Sequence, residues 1–216
     1  MTTIKTLIST VALLAASTVF AQTGNSPWFP TSTEDGQGTI GRRYGEGYLS
    51  LQDVSGSSKN IYGGGVAANV PLLKGIDLNG RVGYTSFKPA YASTTLTNLD
   101  GAVKFYNQSD ADIKAFIAPG LGVTFGDVND HSTSWVRWNV AIGAEFAYKW
   151  VAITPTLTYN DDFRHHGPSQ QSISYGAEFS SWATPQVNVF AKVEAIDPFH
   201  DANITPGLTI GLRVRF

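Results

Sequence analysis

The last segment of the chain alternates without a break. Ile204, Pro206, Leu208, Ile210, Leu212, Val214 and Phe216 form one row, and Thr205, Gly207, Thr209, Gly211, Arg213 and Arg215 form the other. Successive side chains of a strand point to opposite faces, so this segment predicts a strand with one apolar face and one polar or small face. Residues 135–149 repeat the pattern, with Val136, Trp138, Val140, Ile142, Ala144, Phe146 and Tyr148 against Arg137, Asn139, Ala141, Gly143, Glu145 and Lys149. Residues 151–160 do so again, with Val151, Ile153, Pro155, Leu157 and Tyr159 opposite Ala152, Thr154, Thr156, Thr158 and Asn160. Noisier alternation runs near 44–54, 61–70, 76–87, 95–106, 112–125, 172–181 and 186–196. The pattern predicts ten strands, with eight as the alternative count.

Alternation of this kind also describes a soluble β-sandwich with its apolar rows turned inward. Three features favour a transmembrane barrel. The predicted strands run to about ten residues or more, near the 9–11 that cross a bilayer when tilted. The connections alternate in character: polar and mostly long near 55–60, 88–94, 126–134, 161–171 and 197–203, mostly shorter near 71–75, 107–111, 149–150 and 182–185. Long loops on one side and short turns on the other mark outer-membrane barrels. Aromatic residues also gather at strand ends, as expected of girdles at two membrane interfaces. Tyr106, Tyr148, Trp150 and Trp182 lie by the short turns; Phe87, Tyr91, Phe125, Trp135 and Phe163 lie by the long loops.

Upstream of Tyr44 the pattern is different. Residues 22–43 (QTGNSPWFPTSTEDGQGTIGRR) are rich in Gly, Ser, Thr and Pro and lack periodicity, which predicts a flexible periplasmic N-terminal arm. Before it, Lys5 and the apolar run Leu7 to Phe20 read as a signal peptide over residues 1–21, with Val19-Phe20-Ala21 at the cleavage site. The run is shorter than the roughly 20 apolar residues of a membrane helix, and no later stretch is longer. The domain expectation is therefore signal 1–21, arm 22–43 and outer-membrane barrel 44–216.

Composition sharpens this picture. Charged residues are only 15% of the 216, against 42% hydrophobic and 12% aromatic, with 22 glycines. Soluble globular chains carry about a quarter charged residues, so an unusual share of the surface is apolar. A net charge of −2 offers nothing to nucleic acid. With no Cys there is no disulfide framework, thiolate metal site or lipidated N-terminal cysteine.

The signal, the alternating region from Tyr44 to Phe216 and the terminal GLRVRF together resemble the small outer-membrane barrels of the OmpA-like/opacity-type porin superfamily. The resemblance implies an all-β, antiparallel, up-and-down transmembrane barrel in a Gram-negative outer membrane. It implies that Phe216, a terminal aromatic ending an alternating strand, is the signal read by the barrel-assembly machinery. No OmpA-type peptidoglycan-binding domain is expected after the last strand.

If the apolar rows face lipid, the other rows face a lumen and carry most of the strand charges. The principal candidates for a lumen charge network are Arg81, Asp100, Lys104, Lys114, Arg137, Glu145, Glu178, Lys192, Glu194 and Arg213, with Glu46, Asp77, Asp112 and Arg215 beside them. Mixed signs predict paired, hydrogen-bonded groups, since an unpaired buried charge is costly. Small residues on the same rows (Gly63, Gly65, Ala67, Gly120, Gly122, Gly143, Gly176, Gly211) leave room for water or for tight closure. A narrow passive pore for ions or small solutes and a structural or adhesive surface protein both remain open. The expected partners are outer-membrane lipid, lipopolysaccharide, the assembly machinery and an unspecified extracellular ligand.

Candidate chemistry is thin. His131, His165, His166 and His200 lie in predicted outer loops with acidic neighbours, in DVNDH, DDFRHH and DPFHD. Imidazole with carboxylate suits a divalent metal or an acid/base pair. Asp130, His131, Asp161 and Asp162 can be set against the omptin protease constellation, but the spacing departs from it. His131 with Ser132 or Ser134 and Glu145 suggests a lipid A-modifying triad, yet Glu145 is expected near the far end of its strand. Gly63-Gly64-Gly65 has no following helix or Lys and makes no phosphate cradle. The expectation is therefore a non-enzymatic chain with no cofactor, no metal site and no catalytic residues; a protease or a lipid A-modifying enzyme is the alternative.

Overall fold

The computed structural model describes residues 38–53, 60–87, 94–107, 112–128, 131–163, 171–199 and 204–216. Ten strands follow one another: β1 (Tyr44–Asp53), β2 (Asn60–Leu73), β3 (Ile76–Phe87), β4 (Thr94–Tyr106), β5 (Ile113–Val128), β6 (His131–Tyr148), β7 (Val151–Asp162), β8 (Ser172–Trp182), β9 (Val187–Pro198) and β10 (Thr205–Arg215). Each pairs antiparallel with its sequence neighbours, and β1 pairs with β10, closing the sheet into a barrel. The count is ten, and the alternative of eight falls away.

Two tight turns show how sequence sets one end. Leu73 pairs with Ile76 around Lys74-Gly75, and Tyr148 pairs with Val151 around Lys149-Trp150. Gly75 has φ +86°, a conformation glycine adopts without steric cost. Both chain ends of the barrel, Tyr44 and Arg215, pair at this same turn end.

The alternating rows sort as their chemistry demands. Leu49, Leu121, Ile142, Leu157, Ile210 and Leu212 stand outward and exposed, Leu121 at 61%. The buried set is different in kind: Asp77, Glu145, Asn69, Asn188 and Thr124 are the largest fully enclosed side chains. A soluble protein reverses this, keeping charged groups out and large apolar groups in. The sandwich alternative is therefore set aside by the fold itself.

Strand length exceeds the membrane requirement most in one hairpin. β5 has 16 residues and β6 has 18, paired in register up to Val128 and His131. Since 9–11 residues cross a bilayer, this hairpin projects beyond the apolar belt at the loop end.

The girdle expectation needs correction at three aromatics. Tyr148 and Trp150 face outward, as do Phe125 and Phe163. Trp182 is buried, however, and Trp135 lines the lumen, because each sits on the inward row of its strand. Tyr106 also turns inward, against Gly41. The side chain of Phe87 and all of Tyr91 lie outside the described residues.

The outer belt gives a direct test. Leu121→Arg places a charge on the lipid face of mid-β5 and should cost about 2–4 kcal/mol. Urea unfolding of the chain refolded into phospholipid vesicles should show that loss, whereas Thr124→Ser on the inward row should stay within about 1 kcal/mol of the parent.

Candidate functional site

The inward rows enclose a cavity of about 680 Å³ that reaches from Thr39 and Ile40 at the turn end to Gln52, Thr85 and Asp161 at the loop end. Three arrangements furnish it, and each has a local sequence cause.

The floor comes from outside the strands. Residues 38–43, the part of the expected N-terminal arm that the structure describes, lie across the turn-end mouth. Thr39 and Ile40 are buried there. The Thr39 backbone N–H donates to Glu145 Oε2 at 2.6 Å, its hydroxyl donates to the same oxygen at 2.8 Å, and the Ile40 N–H donates to Oε1 at 3.2 Å. Gly41 N–H donates to Asp77 Oδ2 at 2.9 Å. Lys114 Nζ donates to the Ile40 carbonyl at 3.2 Å, Trp182 Nε1 to the Gly38 carbonyl at 3.3 Å, and Asn69 Nδ2 to the Arg42 carbonyl at 2.6 Å. Glycine is required at both bends: Gly38 has φ +39° with Glu145 directly against the position of a Cβ, and Gly41 has φ +82° with the Tyr106 hydroxyl 3.0 Å from one. Arg42 completes the cover, its guanidinium 5.4 Å from the Trp182 ring centre. The segment is a stopper, held by carboxylates that accept from its backbone.

The seam holds the second arrangement. Arg213 of β10 donates Nε to Glu46 of β1 at 2.8 Å, and its two terminal nitrogens to Glu178 of β8 at 2.6 and 2.7 Å. The Arg213 side chain is only 5% exposed. Its guanidinium lies 4.1 Å from the Phe190 ring centre and 5.2 Å from that of Tyr44. Register makes this possible, since Arg213 pairs directly with Glu46 across the β1–β10 closure. A planar fork that satisfies two carboxylates at once is what a guanidinium supplies and an ammonium does not.

The third arrangement lies on the wall of β3 to β6. Arg137 Nη2 reaches both oxygens of Asp100 at 2.7 Å, crossing Gly122 of the intervening β5. A Cβ on Gly122 would collide with Asp100. Across the lumen, Lys192 pairs with Glu194. Two cations take aromatic partners instead: Arg81 stacks 4.0 Å from the Tyr48 ring centre, and Lys104 sits 4.9 Å from that of Phe116.

All ten principal charge-network candidates thus line the lumen or meet its stopper, and the structure divides them. Asp100 and Arg137 form one pair, Lys192 and Glu194 another, and Glu178 and Arg213 join Glu46. Glu145 and Lys114 grip the stopper, while Arg81 and Lys104 lie on rings. Asp112 is a correction: it is exposed and precedes β5, so it does not face the lumen. Arg215 ends β10 at the turn end. Sequence reasoning missed residues 38–43, the floor carboxamide Asn69 and the inward rings of Tyr48, Phe116 and Phe190. Inward rings leave a faint trace, because Gly65 and Gly83 flank Tyr48 and Gly211 flanks Phe190, where a Cβ would strike the ring.

The proposed enzyme constellations do not assemble among the described residues. Glu145 is committed to the stopper, and the length of β6 separates it from the His131 position at about 3.3 Å per residue. Asp161 accepts from the Tyr159 hydroxyl, Gln171 Nε2 and the Asp162 N–H. Among the described residues no three His, Asp or Glu side chains converge as metal ligands. Asp130, His165, His166, His200 and the His131 side chain lie outside them.

In sequence, the chain matches no family profile and no curated protein. In structure it matches bacterial outer-membrane barrels. The translocator domain of autotransporter NalP from Neisseria meningitidis superposes with a TM-score of 0.50 at 8% identity, over 83% of this chain and 90% of that one. The fold is that of an outer-membrane β-barrel. The β-domain of the Bordetella autotransporter BrkA gives 0.49 at 15% identity over 82% and 99%, and Neisserial surface protein A gives 0.45 at 12% over 81% and 97%.

The seam cluster should dominate stability. Arg213→Met leaves Glu46 and Glu178 enclosed without their direct ion-pair partner, and a loss of about 3–5 kcal/mol is expected. Urea unfolding in vesicles should show that loss, with a smaller one for Lys192→Met, whose side chain is 32% exposed.

Proposed function

We propose that this chain is exported to a bacterial outer membrane and works there as a non-enzymatic, surface-facing barrel whose lumen is closed at the turn end by its own residues 38–43. The stopper is the observation that carries the reading: seven hydrogen bonds hold it, four donated by its own groups to Glu145 and Asp77 and three donated to its carbonyls by Asn69, Lys114 and Trp182. The outward apolar rows support lipid as the surrounding phase, and a closed sheet leaves no backbone edge unpaired in it. Lipopolysaccharide then meets the belt at the loop end, and Phe216 presents itself to the assembly machinery. The commitment of Glu145 and Asp161 to internal hydrogen bonds supports a non-catalytic role.

A passive pore is the second reading, favoured by the polar cavity above the stopper. Planar-bilayer recording separates the two. The parent chain should be silent or nearly so, and the double variant Asp77→Asn, Glu145→Gln should conduct in frequent steps, because each change weakens a charge-assisted bond by about 1.5–3 kcal/mol. Steady open steps from the parent, unchanged in the variant, would establish the passive pore. Heat-modifiable migration on SDS gels checks in both proteins that the barrel has formed.

A further inference from the structure

The lumen wall formed by β3 and β4 is unevenly neutralised. Arg81 pairs in register with Asp100, its natural counter-ion. Asp100 nevertheless gives both oxygens to Arg137, which reaches it across the bare backbone of Gly122. Arg81 is left stacked on Tyr48, and among the described residues it forms no ion pair. Lys104, four positions from Asp100 towards the stopper, lies over Phe116 and likewise forms none.

Between the two cations the wall forms a shelf of short side chains, with the Asn139 carboxamide oxygen lying over Gly120. Arg81 pairs with Asp100 at one height and Asp77 pairs with Lys104 at another; Asn79 lies midway on β3. The row at its height runs Asn79, Ala102, Gly120, Asn139, two carboxamides with only small residues between them. Asn79 Nδ2 is enclosed and has no acceptor among the described residues, and Arg137 Nε is in the same condition. Donors without acceptors and cations without a direct ion pair among the described residues therefore converge on one stretch of the cavity. Enclosed donors of this kind are costly to leave unmet.

We propose that this shelf binds a small anion bearing a phosphate or carboxylate group. Arg81 offers a fork from the loop side, Lys104 a point charge from the stopper side, and Asn79 a neutral donor between them. The two sources share one chemistry, a small oxyanion. The inference rests on the closed barrel and its lumen, not on the stopper, because binding is read without conduction.

The test uses the full mature chain refolded in detergent, titrated calorimetrically with inorganic phosphate and, separately, with succinate. Saturable binding of one or both is expected, the tighter naming the source. Arg81→Gln and Lys104→Met should each weaken it about tenfold or more, the equivalent of one charge-assisted hydrogen bond. Asp100→Asn should tighten it by removing the competing carboxylate. Heat-modifiable migration confirms the fold of each variant; if one does not refold, competition of chloride with the bound anion in the parent takes its place. No saturable binding of either anion, or binding that Arg81→Gln and Lys104→Met leave unchanged, would overturn the proposal. A silent parent in bilayers with no anion binding would sink the shelf and leave the stopper standing.

Discussion

Closure of the sheet is the constraint on which the rest of the molecule depends. Every strand has a partner on both sides, and the last pair, β1 with β10, runs in register from Tyr44 and Arg215 to Gln52 and Gly207. A barrel has no edge and needs no polar cover outside, so its outer rows are free to be leucine, isoleucine and aromatic. The same geometry forces the remaining polarity inward. Fully enclosed carboxylates and carboxamides are the price of that arrangement, and the chain has answered it by giving most of them specific partners.

Those partners span strands that are far apart in sequence. Arg213 ties β8, β10 and β1 around Phe190 and Tyr44; Arg137 ties β6 to β4 across β5. Both links pass between side chains kept small or flat. Gly122 leaves the way open for Arg137, and ring faces receive the two cations that form no direct ion pair among the described residues. The lumen is thus lined by paired charges, hydroxyls and rings, with a cavity of about 680 Å³ running between them from the turn end to the loop end.

The sequence made the strands legible because a period of two is visible in any segment with one lipid-facing row. The final strand and residues 135–160 needed nothing else, and the observed ranges differ from expectation chiefly by longer ends on β2, β5 and β6. Which charges lie inside was legible from the same rows. Which charge meets which was not, since a pairing such as Arg137 with Asp100 depends on register across three strands. The stopper was opaque for a different reason. Residues 38–43 have no periodicity, and their structure comes from Glu145, Asp77 and Trp182, on strands that begin far downstream. Aromatics at strand ends were ambiguous in the same way: Trp150 and Trp182 read alike, yet one faces out and the other reaches Gly38.

The position of the stopper also orders events in time. Its docking groups come from β2, β3, β5, β6 and β8, so no nascent or half-zipped sheet can hold it in full. The first part of the barrel to emerge in the chain is therefore the last to find its place. Seating of residues 38–43 then reports that the cylinder is complete, and an unfinished intermediate keeps its turn-end mouth open and its enclosed carboxylates wet.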